Sequence, residues 1–377
     1  FLADALARGA AAALLPDDAF AALAALGRVV RDRSSARLVA VTGSTGKTST
    51  KDILAALCRP HARTVAAEGG LNNEIGLPLT LTRIEPETEV VVAELGMRGL
   101  GQIAELSALA RPQVGVITAV GPVHLELLGT VANVARAKAE VVDALPPGGT
   151  AVVPAGASEL EPFLGREGVE LVRFGEGGDV CLSLFEPPHL VADVAGTTVA
   201  LEVPFTARHQ ARNTLAALAA YRALGLPLER AGEGAAGIRF SAWRGEELEL
   251  AGGVLVINDA YNANPDSVRA ALEHLRERAG GRRTVAVLGG MAELGVHSAL
   301  HHREVARTLE ADVLVTVGEL ARGYLDAPAA ERHHAESAGE AASLLRELLR
   351  PGDVVLVKGS RAVALEGIPS ALANVPA

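Results

Sequence analysis

Apolar and polar positions follow two rhythms along this chain. Unbroken apolar runs at 38–42, 90–93 and 114–118 are followed by stretches of helical spacing at 47–57, 101–110 and 131–145. Such runs read as parallel strands buried on both faces. Alternating with helices, they predict an open α/β sheet. Pro146-Pro147-Gly148-Gly149 interrupts the rhythm. Residues 150–206 carry short apolar runs with many Gly and Pro, which predicts a small β-rich insertion, and 208–225 then reads as an Ala- and Leu-rich helix. A second α/β series follows. Apolar runs at 254–257, 285–288, 313–317 and 354–357 alternate with helical stretches at 265–278 and near 298–310. The expected fold is α/β, with a central mostly parallel sheet of P-loop type followed by a Rossmann-like, doubly wound C-terminal domain. The boundary is expected near Trp243 to Glu247. At the start, Phe1 to Leu15 reads as an amphipathic helix, and residues are expected to precede Phe1.

The first strand carries the sharpest chemical signal. Leu38-Val39-Ala40-Val41 runs into Thr42-Gly43-Ser44-Thr45-Gly46-Lys47-Thr48, where helical spacing begins. Backbone N–H groups at such a turn and helix N-terminus form an anion site. Lys47 would reach the β- and γ-phosphates of a nucleotide, and the Thr48 hydroxyl would hold Mg²⁺. Val41 stands where a full P-loop has its first Gly. The competing reading is an ordinary glycine turn.

Composition narrows the class. The chain has 377 residues, which calls for two or three domains, and 49% hydrophobic against 21% charged residues, which allows large cores. Charges and prolines interrupt every apolar run short of membrane-spanning length. The net charge of −10, with seven Phe, three Tyr and one Trp, disfavours nucleic-acid binding. Cys58 and Cys181 lack partner ligands in motif spacing and read as inert thiols in a reducing cytoplasm.

Further candidates stand just after predicted strands, where open α/β sheets bind ligands. Glu94 could hold Mg²⁺ or be a solvated turn residue. His124 could be a ligand or structural, and Lys138 could serve chemistry or a solvated helix face. Asn72 and Asn73 could read a base edge or cap the next segment. Asp259 begins Asp259-Ala260-Tyr261-Asn262-Ala263-Asn264-Pro265 and could grip ribose, while Asn264-Pro265 could cap a helix. Gly289 to Gly295 and Lys358-Gly359-Ser360-Arg361 offer backbone N–H groups, and the second adds cations suited to carboxylate or phosphate.

Together these segments resemble the Mur ligase superfamily, ATP-dependent amide-forming enzymes of bacterial cell-wall synthesis. Thr42 to Thr48 matches its nucleotide loop. Leu71-Asn72-Asn73-Glu74-Ile75-Gly76, Asp259 to Pro265, Gly290-Met291-Ala292-Glu293-Leu294-Gly295 and Lys358 to Arg361 resemble the branch that adds D-alanyl-D-alanine to UDP-N-acetylmuramoyl-tripeptide. The resemblance implies a catalytic set of Lys47, His124, Lys138 and Arg244. It implies two Mg²⁺ ions on Thr48, Glu94, His124 and Lys138, the last as a carbamate. ATP would contact Gly43, Ser44, Thr45, Gly46, Lys47, Thr48, Asn73, Asn213, Arg244, Asp259 and Asn262. The other substrates would contact Asn72, Asn73, Tyr261, Asn264, Lys358, Ser360 and Arg361. Ala207 and Gln210 depart from the family's usual Gly-x-His-Asn, while His209 and Asn213 match it. The implied division is residues 1–35 as remnant and linker of a UDP-substrate-binding domain, 36–243 as the ATP-binding ligase domain and 244–377 as the C-terminal domain. The implied setting is a cytoplasmic monomer acting through an acyl phosphate, without nucleic-acid partners. The rivals are a sister ligase that adds a single amino acid or glutamate, and a nucleotide-binding module without ligase activity.

Overall fold

In the computed structural model, which describes residues 2–12 and 15–373, the chain forms two sheets. The strands are β1 (Arg37–Thr42), β2 (Thr64–Ala66), β3 (Val90–Glu94), β4 (Val114–Ile117), β5 (Thr150–Pro154), β6 (Glu170–Phe174), β7 (Val180–Glu186), β8 (His189–Val194) and β9 (Thr197–Glu202), then β10 (Glu246–Leu250), β11 (Val254–Asn258), β12 (Thr284–Gly289), β13 (Val313–Val317), β14 (Glu331–Ala335) and β15 (Val354–Lys358). The first sheet has the order β2-β3-β1-β4-β5-β6-β7-β8-β9 and the second β10-β11-β15-β12-β13-β14.

Parallel pairing runs from β2 through β7, and β7-β8-β9 closes the edge as an antiparallel meander. The β-rich segment expected at 150–206 therefore extends the central sheet. Its short alternating runs gave no sign of which edge they join. In the second sheet, β10 pairs antiparallel to β11 and the other pairs are parallel.

The period-2 geometry of β1 sends its apolar side chains to two different cores. Leu38 and Ala40 join one cluster with Leu77, Leu106 and Val134. Val39 and Val41 join another with Leu54, Leu57 and Leu215, beneath the helices Lys47–Cys58 and Arg208–Ala223. Covering both faces is what makes unbroken apolar runs stable as strands.

The helix expected over Phe1 to Leu15 runs only from Leu2 to Ala7 and buries nothing; Phe1, Ala13 and Leu14 lie outside the described residues. A longer helix, Ala19–Arg33, follows, capped by the Asp18 side chain on the Ala21 N–H. It packs on the central unit: a Cβ at Gly27 would lie 3.1 Å from Pro78. The buried Arg31 guanidinium donates to the carbonyls of Ala110 and Ala36. Among the described residues no helix is long and apolar enough to cross a membrane.

Candidate functional site

Parallel strands converge their carboxyl ends, and three of them meet around the first turn. Register sets Glu94, the last residue of β3, beside Val41, and Ile117 of β4 beside Thr42. Gly43 to Thr48 leaves β1 here and enters the helix at Lys47. Gly46 is left-handed at φ 79°, and a Cβ there would lie 2.3 Å from Asn213 Oδ1. Only glycine meets both demands. A Cβ on Gly43 would lie 1.9 Å from Thr118 Oγ1.

The loop is pinned from β4. Thr118 Oγ1 donates to the carbonyls of Thr42 and Thr45. The Ser44 N–H donates to Ala119 O at 2.8 Å, and its hydroxyl accepts from the Gly121 N–H at 3.0 Å. Thr118 escaped the sequence reading. Its one signal was its place after a strand neighbouring β1.

The electrostatics are dense. Lys47 Nζ donates to Gly43 O at 2.8 Å. Burial lowers its pKa and nearby Arg244 lowers it further, while Glu94 opposes both. Lys138, on the helix Val131–Asp143, is 2% exposed. Burial holds its pKa well below the ordinary lysine value, and the like charge of Lys47 adds to that. Glu94 is 1% exposed, and its Oε1 accepts from Asn72 Nδ2 at 2.8 Å. Its Oε2 is buried without a hydrogen-bond partner among the described residues.

The second sheet presents its strand ends to this loop. Arg244 Nη2 donates to Thr48 Oγ1 at 2.9 Å, and the guanidinium stacks 3.9 Å from the Tyr261 ring centroid. Tyr261 lies against the central unit, since a Cβ on Gly70 would fall 2.0 Å from its hydroxyl. Lys358 ends β15, is 2% exposed, and pairs with Asp259 Oδ2 at 2.6 Å. It also donates to Asn262 O at 3.1 Å, which ties the segment after β11 to the end of β15. Asn264 caps the helix Pro265–Ala279 in a reciprocal capping box with Ser267, and its Nδ2 donates to Ser44 O at 3.3 Å. Ser360 Oγ accepts from the Ala292 N–H at 2.8 Å. Arg361 pairs with Glu366 at 2.7 Å and stacks 4.3 Å from the Trp243 ring centroid.

Of the Asn72–Asn73 alternatives, capping is what Asn73 does: its Oδ1 accepts from Gly76 N at 2.9 Å, at the start of the helix Gly76–Leu81. Asn213 Nδ2 donates to Gln210 Oε1 at 2.8 Å. Gln210 in turn donates to Ser49 Oγ at 3.3 Å, so the residue that departs from the family pattern buttresses the phosphate-loop helix. Burial holds the His209 imidazole neutral, with its pKa down to about 4. His124 Nδ1 pairs with Glu293 Oε2 at 2.6 Å, which holds the Glu293 carboxyl below the usual range. Among the described residues no three His, Cys, Asp or Glu side chains converge as a metal group. A cavity of about 600 Å³ lies at the amino ends of β1, β4 and β5, beside Arg31, Gln113 and Arg166, at the other end of the strands from these groups.

A pinned phosphate loop, a buried carboxylate beside it and the cationic strand ends of a second α/β sheet facing it define a nucleotide-dependent ligase of the two-sheet type. The comparisons agree. The chain matches the Mur ligase middle domain over residues 41–221 and the Mur ligase glutamate ligase domain over residues 243–361. The UDP-N-acetylmuramoyl-tripeptide–D-alanyl-D-alanine ligase of Escherichia coli is 34% identical, with 95% of this chain and 82% of that enzyme aligned. The crystal structure of MurF from Acinetobacter baumannii superposes with a TM-score of 0.88 at 31% identity, covering 96% of this chain and 82% of that one. MurF from Thermotoga maritima, solved in complex with ADP, superposes at 0.84 with 28% identity, covering 97% and 86%. The chain belongs to the Mur ligase family, in its UDP-N-acetylmuramoyl-tripeptide–D-alanyl-D-alanine ligase branch.

Proposed function

We propose that this chain joins D-alanyl-D-alanine to UDP-N-acetylmuramoyl-tripeptide at the expense of ATP, in the cytoplasm, where ATP and the nucleotide-linked substrate meet. The carrying observation is the Arg244–Thr48 hydrogen bond, which brings the second sheet's strand ends onto the phosphate loop. The domains we assign are 36–243 for ATP and 244–377 for closure over it.

The tripeptide's terminal carboxylate oxygen attacks the γ-phosphorus, and the bond to the ADP oxygen breaks. The loop N–H groups and Lys47 offset charge growing on the phosphoryl oxygens. The neutral amine of the dipeptide then attacks the acyl carbon, the acyl–oxygen bond breaks and phosphate leaves. Asn72 orients Glu94, Asp259 faces the ribose, and Arg361 receives the dipeptide's far carboxylate. Tyr261 packed on Gly70 helps exclude water that would hydrolyse the acyl phosphate.

The orphaned Glu94 Oε2, on the strand beside the one that runs into the phosphate loop, fits one divalent cation. With Nδ1 of His124 engaged by Glu293, its Nε2 is the nitrogen left for a second. Lys138 suits that site only as a carbamate, and a lowered pKa supplies the neutral amine that adds to CO₂. When bound, Mg²⁺ would neutralise phosphate charge.

Phosphate release from ATP and the tripeptide substrate, with and without D-alanyl-D-alanine, tests this reading. Release should require the dipeptide. Dependence on a single amino acid in its place would overturn the substrate assignment, and release indifferent to either would overturn the ligase.

A further inference from the structure

We propose that Trp243 is a positioning residue for the ligase reaction, holding Arg361 with its ring and aiming Arg244 with its backbone. The proposal rests on the ligase reading above. Trp243 is the single tryptophan of the chain and lies where the backbone leaves the central sheet for β10. It is left-handed at φ 61°, and Gly245 is left-handed at φ 73°. Glycine adopts that region freely, whereas a bulky aromatic holds it only where its surroundings impose it.

Two kinds of contact impose it here. The Gly245 N–H donates to Asn258 O at 3.0 Å, and the Tyr261 N–H donates to Trp243 O at 3.3 Å. These bonds continue the β10–β11 ladder beyond its last pair, Glu246 with Asn258. Arg244 sits between the two left-handed residues, so the turn they make is what sends its side chain to Thr48 Oγ1 rather than along the ladder. The half-buried Trp243 ring centroid lies 4.3 Å from the Arg361 guanidinium carbon, well within cation–π range. Glu366 holds the same guanidinium at 2.7 Å. One residue thus ties the loop after β15, which faces the incoming amine, to the hinge that carries the phosphate-loop arginine. Neither of the other contacts does this: the Arg244 stack on Tyr261 stays within the nucleotide side, and the Arg361–Glu366 ion pair stays within its own loop.

Because the chain has one tryptophan, its emission reads this stack directly in the unliganded protein. Arg361→Ala should shift the emission to longer wavelength as the ring loses its cover. Kinetics with the three substrates then separate positioning from general structure. Trp243→Gly keeps a left-handed backbone without the ring. It should raise the dipeptide KM about three- to tenfold, the range of a lost cation–π contact, while the ATP KM changes by less than about twofold, since the Arg244 turn survives. Trp243→Phe retains an aromatic face and should restore most of the dipeptide KM. Unchanged emission in Arg361→Ala overturns the stack. Equal rises in the dipeptide and ATP KM values in Trp243→Gly, or no rise in either, overturn the positioning role. Failure of the wild-type chain to release phosphate in response to the dipeptide overturns the ligase reading and the role with it, and is told apart because the emission shift would persist.

Discussion

Replacing Lys138 by Met should make the central unit more stable and the enzyme inactive. The side chain is 2% exposed, on a helix whose Val134, Ala135, Ala139 and Val142 are also buried, and methionine has nearly its length. An amine buried without full compensation costs about 1–3 kcal/mol, and a volume-conserving swap costs less than about 1.5 kcal/mol. A net gain of about 1 kcal/mol follows, or about 2–4 °C in the unfolding of a unit this size. The pH dependence has a definite sign. The folded-state pKa of Lys138 lies well below its unfolded value because burial opposes the charge. Between those two values the unfolded chain binds more protons, so wild-type stability climbs with pH through that window. The advantage of the Met variant should be largest below the window and shrink as pH approaches the ordinary lysine range. Thermal unfolding of both proteins at neutral and alkaline pH, in bicarbonate-free buffer so that the amine stays unmodified, measures this. A variant less stable than wild type, or an advantage that grows with pH, would refute the burial argument. Retained phosphate release would refute the catalytic assignment independently.

Lys47→Ala should lower kcat by roughly 100-fold or more through lost charge stabilisation, with circular dichroism unchanged because Lys47 Nζ bonds only a loop carbonyl; near-normal turnover would remove the phosphate-loop assignment. Gly46→Ala should weaken ATP binding, measured by calorimetry, because its Cβ would lie 2.3 Å from Asn213 Oδ1 at a left-handed φ of 79°; unchanged affinity would contradict the clash. Glu293 has a lowered folded-state pKa, chiefly through the His124 hydrogen bond, so its stabilisation is present above the ordinary carboxylate range and lost as pH falls through the folded value. Glu293→Gln should therefore flatten the acid limb of the stability profile, and an unaltered limb would show that the pair contributes nothing. Arg361→Ala should raise the KM for D-alanyl-D-alanine far more than that for ATP in steady-state kinetics, and parallel rises would argue against its carboxylate role.

The unbroken apolar runs that form β1, β3, β4, β11, β12, β13 and β15 and the phosphate loop were legible in the sequence because each is a local matter, whereas the short or polar β2, β10 and β14 carry no such run. Leu38 and Ala40 on one face and Val39 and Val41 on the other make an unbroken apolar strand, and Gly43 to Thr48 carries its turn, its cation and its hydroxyl within a few residues. Capping was legible as one of two options for Asn73 and Asn264, since capping and ligand contact call for the same amide chemistry. Sequence periodicity could not show that β6 to β9 extend the central sheet, because short alternating runs do not encode which edge they join. Nor could it show the pairing of His124 with Glu293, the support of Thr118 beneath the loop, or the stack of Arg361 on Trp243. Those contacts join residues far apart in the chain: the first exists only once the two sheets face each other, and the other two only once each sheet has assembled. The depressed pKa of Lys138 belongs with them: a lysine on a helix reads as solvated until packing removes its water and sets Lys47 nearby. Local chemistry named the residues, and desolvation and long-range pairing decided their charge states and their partners.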